Sequence, residues 1–397
     1  MTERIYLDWN ATAPLRTQAR DAAMAAFDAA GNPSSVHAEG RAARRLIEQA
    51  REQVAALTGA EPRNVVFTSG GTEANMLALT PGLGTGAGPH DRLLISAIEH
   101  PSVLAGGRFP AAAVERLPVT GSGQIDLTAL ERRLAALGGE TPKSQVLVSL
   151  MLANNETGVV QPVSQAARLV HDAGGRLHVD AVQAAGRIAC DINALGADLL
   201  TISGHKIGAP KGVGALVRRD AVLDIADPLI KGGGQERGLR AGTENVAGIA
   251  GFGAAAAAAC DGLAAESARM IKLRDRLESG LAAASPEIVI FGAQAFGAPA
   301  ERLPNTTLFA LNGMKAETAI IAFDLDGVAV SSGAACSSGK VQPSHVLAAM
   351  GVPPDLAGGA IRVSLGPTTT ESEIDRFITA WIRVSGALPK QTRGIAA

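Results

Sequence analysis

Polar residues follow directly on apolar runs at several points in this chain, and in an open α/β sheet such strand ends are where ligands gather. Ser203-Gly204-His205-Lys206 closes the run Asp198–Ser203. A lysine buried at a strand end has a depressed pKa and is a Schiff-base candidate, although a lysine standing alone is ordinarily a solvated surface residue. Ser203 and His205, on the same turn, can hydrogen-bond an anion. The segment from His178 to Gln183 (HVDAVQ) ends another run with the carboxylate of Asp180. That group either caps the next segment or pairs with a cation, and a pyridinium nitrogen is one such partner. Thr68 to Asn75 (TSGGTEAN) reads as strand, glycine turn and helix start. Backbone N–H groups around Gly71, with the Thr72 hydroxyl, suit a phosphate; an ordinary capped helix is the plainer alternative. No Gly-Lys-Ser/Thr follows, so it is not a P-loop.

Four further positions could join them. Asn155, in ANNETG after the run 145–150, offers a side-chain amide. His100 follows the run 92–96 and could stack on an aromatic ring or shuttle protons, or be a satisfied loop histidine. Arg362, inside the apolar run IRVS, has a planar fork suited to a carboxylate, unless that strand simply has an exposed face. Cys336 lies in SSGAACSSGK, where small residues on both sides describe a loop presenting a thiol. Cys190 and Cys260, in Ala-rich surroundings, read as inert packing. Three widely spaced cysteines without a C-x-x-C pair argue against a disulfide framework or a zinc ribbon, and no metal-ligand set stands out. Lys206, with Asp180 one strand earlier and the turn at 70–72, points to pyridoxal phosphate.

The elements that must position these groups follow from periodicity. Apolar runs at 64–69, 92–96, 145–150, 176–180, 198–203 and 214–217 alternate with helical segments such as 41–57 and 163–173. That pattern predicts an α/β fold with a mostly parallel sheet covered by helices. An Ala-rich stretch at 247–276 predicts one or two long helices bridging to an α+β region, with strands at 287–291, 305–310, 328–331 and 361–364 and helices at 315–324 and 370–385. At 397 residues the chain exceeds what a single core supports, so a large cofactor domain (15–255) and a smaller one (1–14 with 256–397, carrying Cys336) are expected. Apolar residues at 47% and charged residues at 19% mark a globular composition. A net charge of −2 and 3% aromatics give no footprint for nucleic acid. No apolar h-region opens the chain, and the run 248–260 is too short for a bilayer span, so a soluble, cytoplasmic protein without membrane contact is expected.

Taken together these stretches resemble the cysteine desulfurases, pyridoxal-phosphate enzymes of the class V aminotransferase group. The likeness runs through YLDWNATAP (6–14), NPSSVHAEG (32–40), 67–75, 154–160, 178–183, SGHKIGAPKGVG (203–214), GGGQERGLRAGTEN (232–245) and 331–339. It implies the aspartate-aminotransferase-like fold, with Lys206 holding the cofactor as a Schiff base and Asp180 pairing with its ring nitrogen. It implies His100 stacked on the ring, Gln183 and Asn155 near the phenolic oxygen or substrate, and Thr72, Ser203 and His205 on the phosphate. Thr243 would join them from a second subunit, which implies a homodimer. Arg362 matches the residue that binds the substrate carboxylate, and Cys336 the nucleophile. On this resemblance L-cysteine gives L-alanine and a persulfide on Cys336, which passes sulfur to an acceptor or iron–sulfur scaffold protein. The Cys336 motif resembles the first of the two desulfurase groups, nitrogen-fixation-like, while the tail 388–397 shows no likeness to the scaffold-docking extension of housekeeping members. A selenocysteine lyase or a class V aminotransferase would share Lys206 and Asp180. A dinucleotide site at Gly82-x-Gly84-x-x-Ala87 is disfavoured because it opens no clear helix.

Overall fold

A computed structural model describes residues 4–84, 88–139, 144–293, 296–297, 299–333 and 343–387; Cys336 lies outside them. The expected α/β architecture is present. Seven strands, β1 (Val65–Thr68), β2 (Arg92–Ser96), β3 (Val114–Leu117), β4 (Val146–Met151), β5 (Arg176–Asp180), β6 (Leu199–Ser203) and β7 (Gly214–Arg218), form one sheet in the order β1-β7-β6-β5-β4-β2-β3. Only β7 runs against the others. β4 and β6 are buried along their whole length, as strands covered on both faces must be. Sequence periodicity passes over β3 because Glu115 and Arg116 break its apolar run at the sheet edge.

The C-terminal ends of β1, β2, β4, β5 and β6 therefore point to one rim. β7 enters that rim at Gly214, where a Cβ would stand 2.7 Å from the Gly70 carbonyl carbon, so only glycine admits the close approach.

Helix Ala38–Thr58 is capped by the His37 ring and by Gly59 in the left-handed region, and it buries Ala43, Ile47, Ala50 and Val54 at helical spacing. It packs on a single helix, Val246–Ala284, at Gly253, where a Cβ would come within 2.4 Å of Ala50 Cα. That helix is one element longer than the expected bridge, and by length and composition it could cross a membrane. Its burial identifies it as a core helix instead. Phe252, Ala255 and Ala256 join the core beneath the seven-stranded sheet. Leu273, Leu277 and Leu281 join a second cluster with Ile5, Leu7, Phe309, Phe323, Phe377 and Trp381.

The second cluster backs a four-stranded antiparallel sheet, β8 (Val289–Ile290), β9 (Thr306–Ala310), β10 (Ser331–Ser332) and β11 (Ile361–Ser364), ordered β8-β9-β11-β10. The single strand expected at 328–331 is in fact divided. Val328–Ala329 pairs with Ile5–Tyr6, and Ser331–Ser332 pairs with β11. Leu83–Gly84, in the Gly-rich stretch 81–89, forms a short strand against Asp224–Ile225, and among the described residues up to β2 no helix follows it, which argues against the dinucleotide reading.

Candidate active site

The five strand ends enclose a cavity of about 270 Å³ lined by Gly71, Thr72, His100, Asn155, Asp180, Gln183, Ser203, His205, Lys206 and Arg362. Six segments far apart in sequence thus converge, and all of these positions are ones the residue pattern had singled out. Thr243 does not reach it. It is exposed on the segment leading into helix Val246–Ala284, away from the cavity of its own chain.

Lys206 ends a short 3₁₀ turn and is half-buried. Its Nζ donates to the carbonyls of Asn10 at 2.5 Å and Ala11 at 2.9 Å. Asn10 is itself pinned. Its backbone N–H donates to Ser364 Oγ at 3.0 Å, its Nδ2 donates to Thr306 Oγ1 at 2.9 Å, and its Oδ1 accepts from Asn305 Nδ2 at 3.1 Å.

Asp180 is buried and accepts from Asn75 Nδ2 at 2.8 Å and from the Val182 N–H at 3.0 Å. Asn75 Nδ2 also donates to Ser102 Oγ at 2.9 Å, which leaves the serine hydroxyl hydrogen for His100 Nδ1 at 2.8 Å. The Ser102 N–H donates to the same ring nitrogen at 3.1 Å. His100 Nδ1 is therefore an acceptor, and a neutral ring carries its proton on Nε2. Burial lowers the pKa of His100, with Lys206 and His345 adding to the fall and Asp180 opposing it, so the neutral form prevails at neutral pH.

His205 is brought down to about 4 by burial and then by Lys206, Lys211 and Arg187, so it too faces the cavity as a neutral group. Arg362 is 2% exposed. Its Nη2 donates to Asp8 Oδ1 at 2.8 Å and its Nη1 to the Asn155 carbonyl at 3.0 Å, while Nε is buried without a partner. The strand is thus fully buried, and the exposed-face alternative for Arg362 falls away.

Several contributors carry no distinctive signal in sequence. Asn75 could have been found from helical spacing, since Gly71 begins the helix Gly71–Ala78 and Thr72 and Asn75 lie three residues apart on it. Asp8, Asn10, Ser102 and Arg187 announce nothing, because each is completed by at least one partner from a distant segment. Glu156 is buried and accepts from Ser344 Oγ at 2.6 Å, and one of its oxygens lies 2.9 Å from where a Cβ on Gly333 would stand. It therefore sits between Gly333 and Ser344, which lie on either side of the Cys336 segment. Burial raises its carboxyl to about 7, against the Ser344 bond and Arg362. Cys190 is packed as expected, with burial raising its thiol to about 12, whereas Cys260 is exposed. The Ala-rich context of Cys260 misleads because it belongs to the outer face of a long helix.

The chain belongs to the aminotransferase class-V family, whose model matches residues 5–377. Among its members it is similar to cysteine desulfurases. It is 45% identical over 383 residues to the cysteine desulfurase of Cereibacter sphaeroides, covering 95% of this chain and 94% of that one. The NifS-like protein from Rickettsia africae superposes with a TM-score of 0.84 at 36% identity, covering 97% and 100% of the two chains. SspA in complex with cysteine superposes at 0.74 with 29% identity, covering 92% and 100%.

Pyridoxal phosphate is the cofactor of this family, and the donor set fits it. The helix start at Gly71–Thr72, Ser203 and His205 supply neutral donors for a phosphate. Asp180 supplies a buried carboxylate for a protonated ring nitrogen, and Lys206 the amine. The unpartnered Arg362 Nε is an unfilled buried donor, as a carboxylate-binding wall requires.

Proposed function

We propose that the protein is a pyridoxal-phosphate-dependent cysteine desulfurase. It removes sulfur from L-cysteine, leaves L-alanine, and holds the sulfur as a persulfide on Cys336 for transfer to an acceptor or iron–sulfur scaffold protein. The observation that carries this reading is the convergence of Lys206, Asp180, His100 and Arg362 on one cavity, with the chain leaving β10 at Gly333, three residues before Cys336. β10 pairs with β11, and Ser331 stands opposite Arg362.

The cofactor, when bound, supplies an electrophilic carbon for the substrate amine and an electron sink for the bond broken at the substrate α-carbon. Every other task falls to the chain. Arg362 holds the substrate carboxylate and so sets which bond faces Lys206. Lys206, once its amine is released, accepts the α-proton; the Asn10 and Ala11 carbonyls keep it at the cavity wall. Asp180 keeps a proton on the ring nitrogen, and Asn75 holds Asp180 in place. His100, its Nδ1 held by Ser102, would carry its exchangeable proton on Nε2. The Cys336 thiolate then attacks the substrate sulfur, forming the S–S bond as the C–S bond breaks.

The protein works as a cytoplasmic homodimer in this reading, with Thr243 completing the partner's phosphate site. Two features support that role for the Thr243 segment. Arg240 Nε donates to Glu73 at 3.1 Å beside the phosphate turn. Glu236, at a left-handed φ of 45°, is clamped by Arg51 at 2.7 and 2.8 Å and by the Phe67 N–H at 2.8 Å. The test is the release of sulfide and alanine from L-cysteine under reducing conditions by wild type, Lys206→Ala and Cys336→Ala. A yellow wild type that makes equimolar sulfide and alanine, with both variants inactive, is expected. Full sulfur release by Cys336→Ala overturns the persulfide step, and transamination without sulfide points to an aminotransferase.

A further inference from the structure

Arg187 is a buried guanidinium whose hydrogen-bond partners carry no charge. Its Nη1 donates to the Gln183 backbone carbonyl at 2.6 Å and to Gln183 Oε1 at 2.7 Å, and its Nη2 to the Trp9 carbonyl at 3.3 Å. The charged groups around this corner are Arg362, already paired with Asp8, the Lys206 amine, and Asp180 across the cavity; His205 and His100 face it as neutral rings. A buried cation that meets only carbonyl oxygens is costly, so its place in the fold calls for a role.

That role follows from what each neighbour of Gln183 can accept or donate. A guanidinium only donates, so the Gln183 oxygen must face Arg187. The Asn10 carbonyl only accepts, and Gln183 Nε2 donates to it at 3.1 Å. These two contacts fix the amide with no freedom to flip, and they leave the second Nε2 hydrogen for the cavity that Gln183 lines. Gln183 therefore offers the cavity an amide hydrogen, with its oxygen turned toward Arg187.

We propose that Arg187 is a positioning residue that, acting through the Gln183 amide, commits this wall of the cavity to an anionic oxygen of the bound cofactor. The inference rests on the pyridoxal-phosphate reading of the site. Its consequence is electrostatic. A fixed donor backed by a cation favours the deprotonated, anionic arrangement, so it lowers the pH at which the bound cofactor takes up a proton. Without Arg187 the amide can turn its oxygen inward, and the proton is held more firmly.

The experiment is a pH titration of the visible absorption band in wild type, Arg187→Met, Arg187→Lys, Gln183→Leu and the double variant Arg187→Met/Gln183→Leu. The Arg187→Met midpoint should rise by about one pH unit, a tenfold change in proton affinity. Arg187→Lys, which keeps a charged donor, should recover most of that shift. Because Arg187 acts through Gln183, the double variant should titrate like Gln183→Leu alone. A midpoint unchanged in Arg187→Met overturns the proposal, as does full additivity in the double variant. Should Arg187→Met not accumulate as folded protein, Arg187→Lys against Gln183→Leu decides: a Lys variant that titrates like Gln183→Leu overturns it. A wild type that forms no visible band with added pyridoxal phosphate overturns the cofactor reading itself, and the two failures are thereby told apart.

Discussion

Asn75 and Asp180 are joined across the cavity floor by one amide hydrogen bond of 2.8 Å, although 105 residues separate them. The other hydrogen of the same Nδ2 goes to Ser102, which in turn holds His100. One side chain thus orients both the carboxylate and the imidazole that line the cavity. Replacing it with an isosteric hydrocarbon, Asn75→Leu, strips a donor from two buried oxygens. Urea denaturation should show a loss of about 1–3 kcal/mol for the buried group left unpaired, with weaker retention of the cofactor on dialysis.

Arg362 should be read through steady-state kinetics. On the proposed function, Arg362→Gln removes a charged contact to the substrate carboxylate, worth about 1.5–3 kcal/mol, so kcat/KM for L-cysteine should fall roughly 10- to 150-fold. Asp8→Asn breaks the buried pair from the other side. It leaves the cation in place for substrate and should lower stability more than it lowers substrate affinity. An equal loss of kcat/KM in both variants would show that Arg362 serves the fold alone.

Glu156 makes a prediction about pH. An unfolded glutamate ionises near 4.5, and burial holds this one to about 7. Because the folded pKa is the higher, the stability it contributes is full below the unfolded pKa and is lost as the pH rises through the folded one. Ionising this buried group should cost about 3 kcal/mol by about pH 8. Glu156→Gln keeps an acceptor for Ser344 and cannot ionise. It should match wild type in acid and exceed it in urea resistance at about pH 8. A constant difference between the two proteins across the range would refute the linkage.

Thiol chemistry separates the two structurally described cysteines. Brief treatment with iodoacetamide should label Cys260, which is exposed, and spare Cys190, which is buried and raised to about 12. Cys260→Ser should leave desulfurase activity unchanged. Peptide mass spectrometry reads the first outcome and sulfide release the second.

Most of the site was legible in the sequence because its groups sit at the ends of apolar strands, where periodicity locates the strand and residue type does the rest. Lys206, Asp180, Ser203 and His205 all obey that rule, since the sheet supplies their geometry. What escaped is whatever depends on partners from distant segments. Arg187 carries no distinctive signal because, although Gln183 lies only four residues before it, the Trp9 carbonyl that completes its seat comes from a distant segment. Asn75 escaped although it lay within the motif that revealed Thr72, because helical position alone does not say which strand it faces. Cys260 misled for the converse reason: an alanine-rich context looks the same on the covered and uncovered faces of a long helix. The split of the 328–331 run arose because an apolar stretch does not reveal that its two halves pair with different strands.

The seating of Asn10 has a bearing on how the molecule is made. Its partners Thr306 and Ser364 lie 296 and 354 residues downstream. The carbonyl that receives Lys206 is therefore in place only once Ser364 has been synthesised and the two segments have met. Contacts of such long sequence separation form late and slowly. A chain ending before Thr306 would hold the complete seven-stranded sheet and still lack the partners that seat the lysine's anchor.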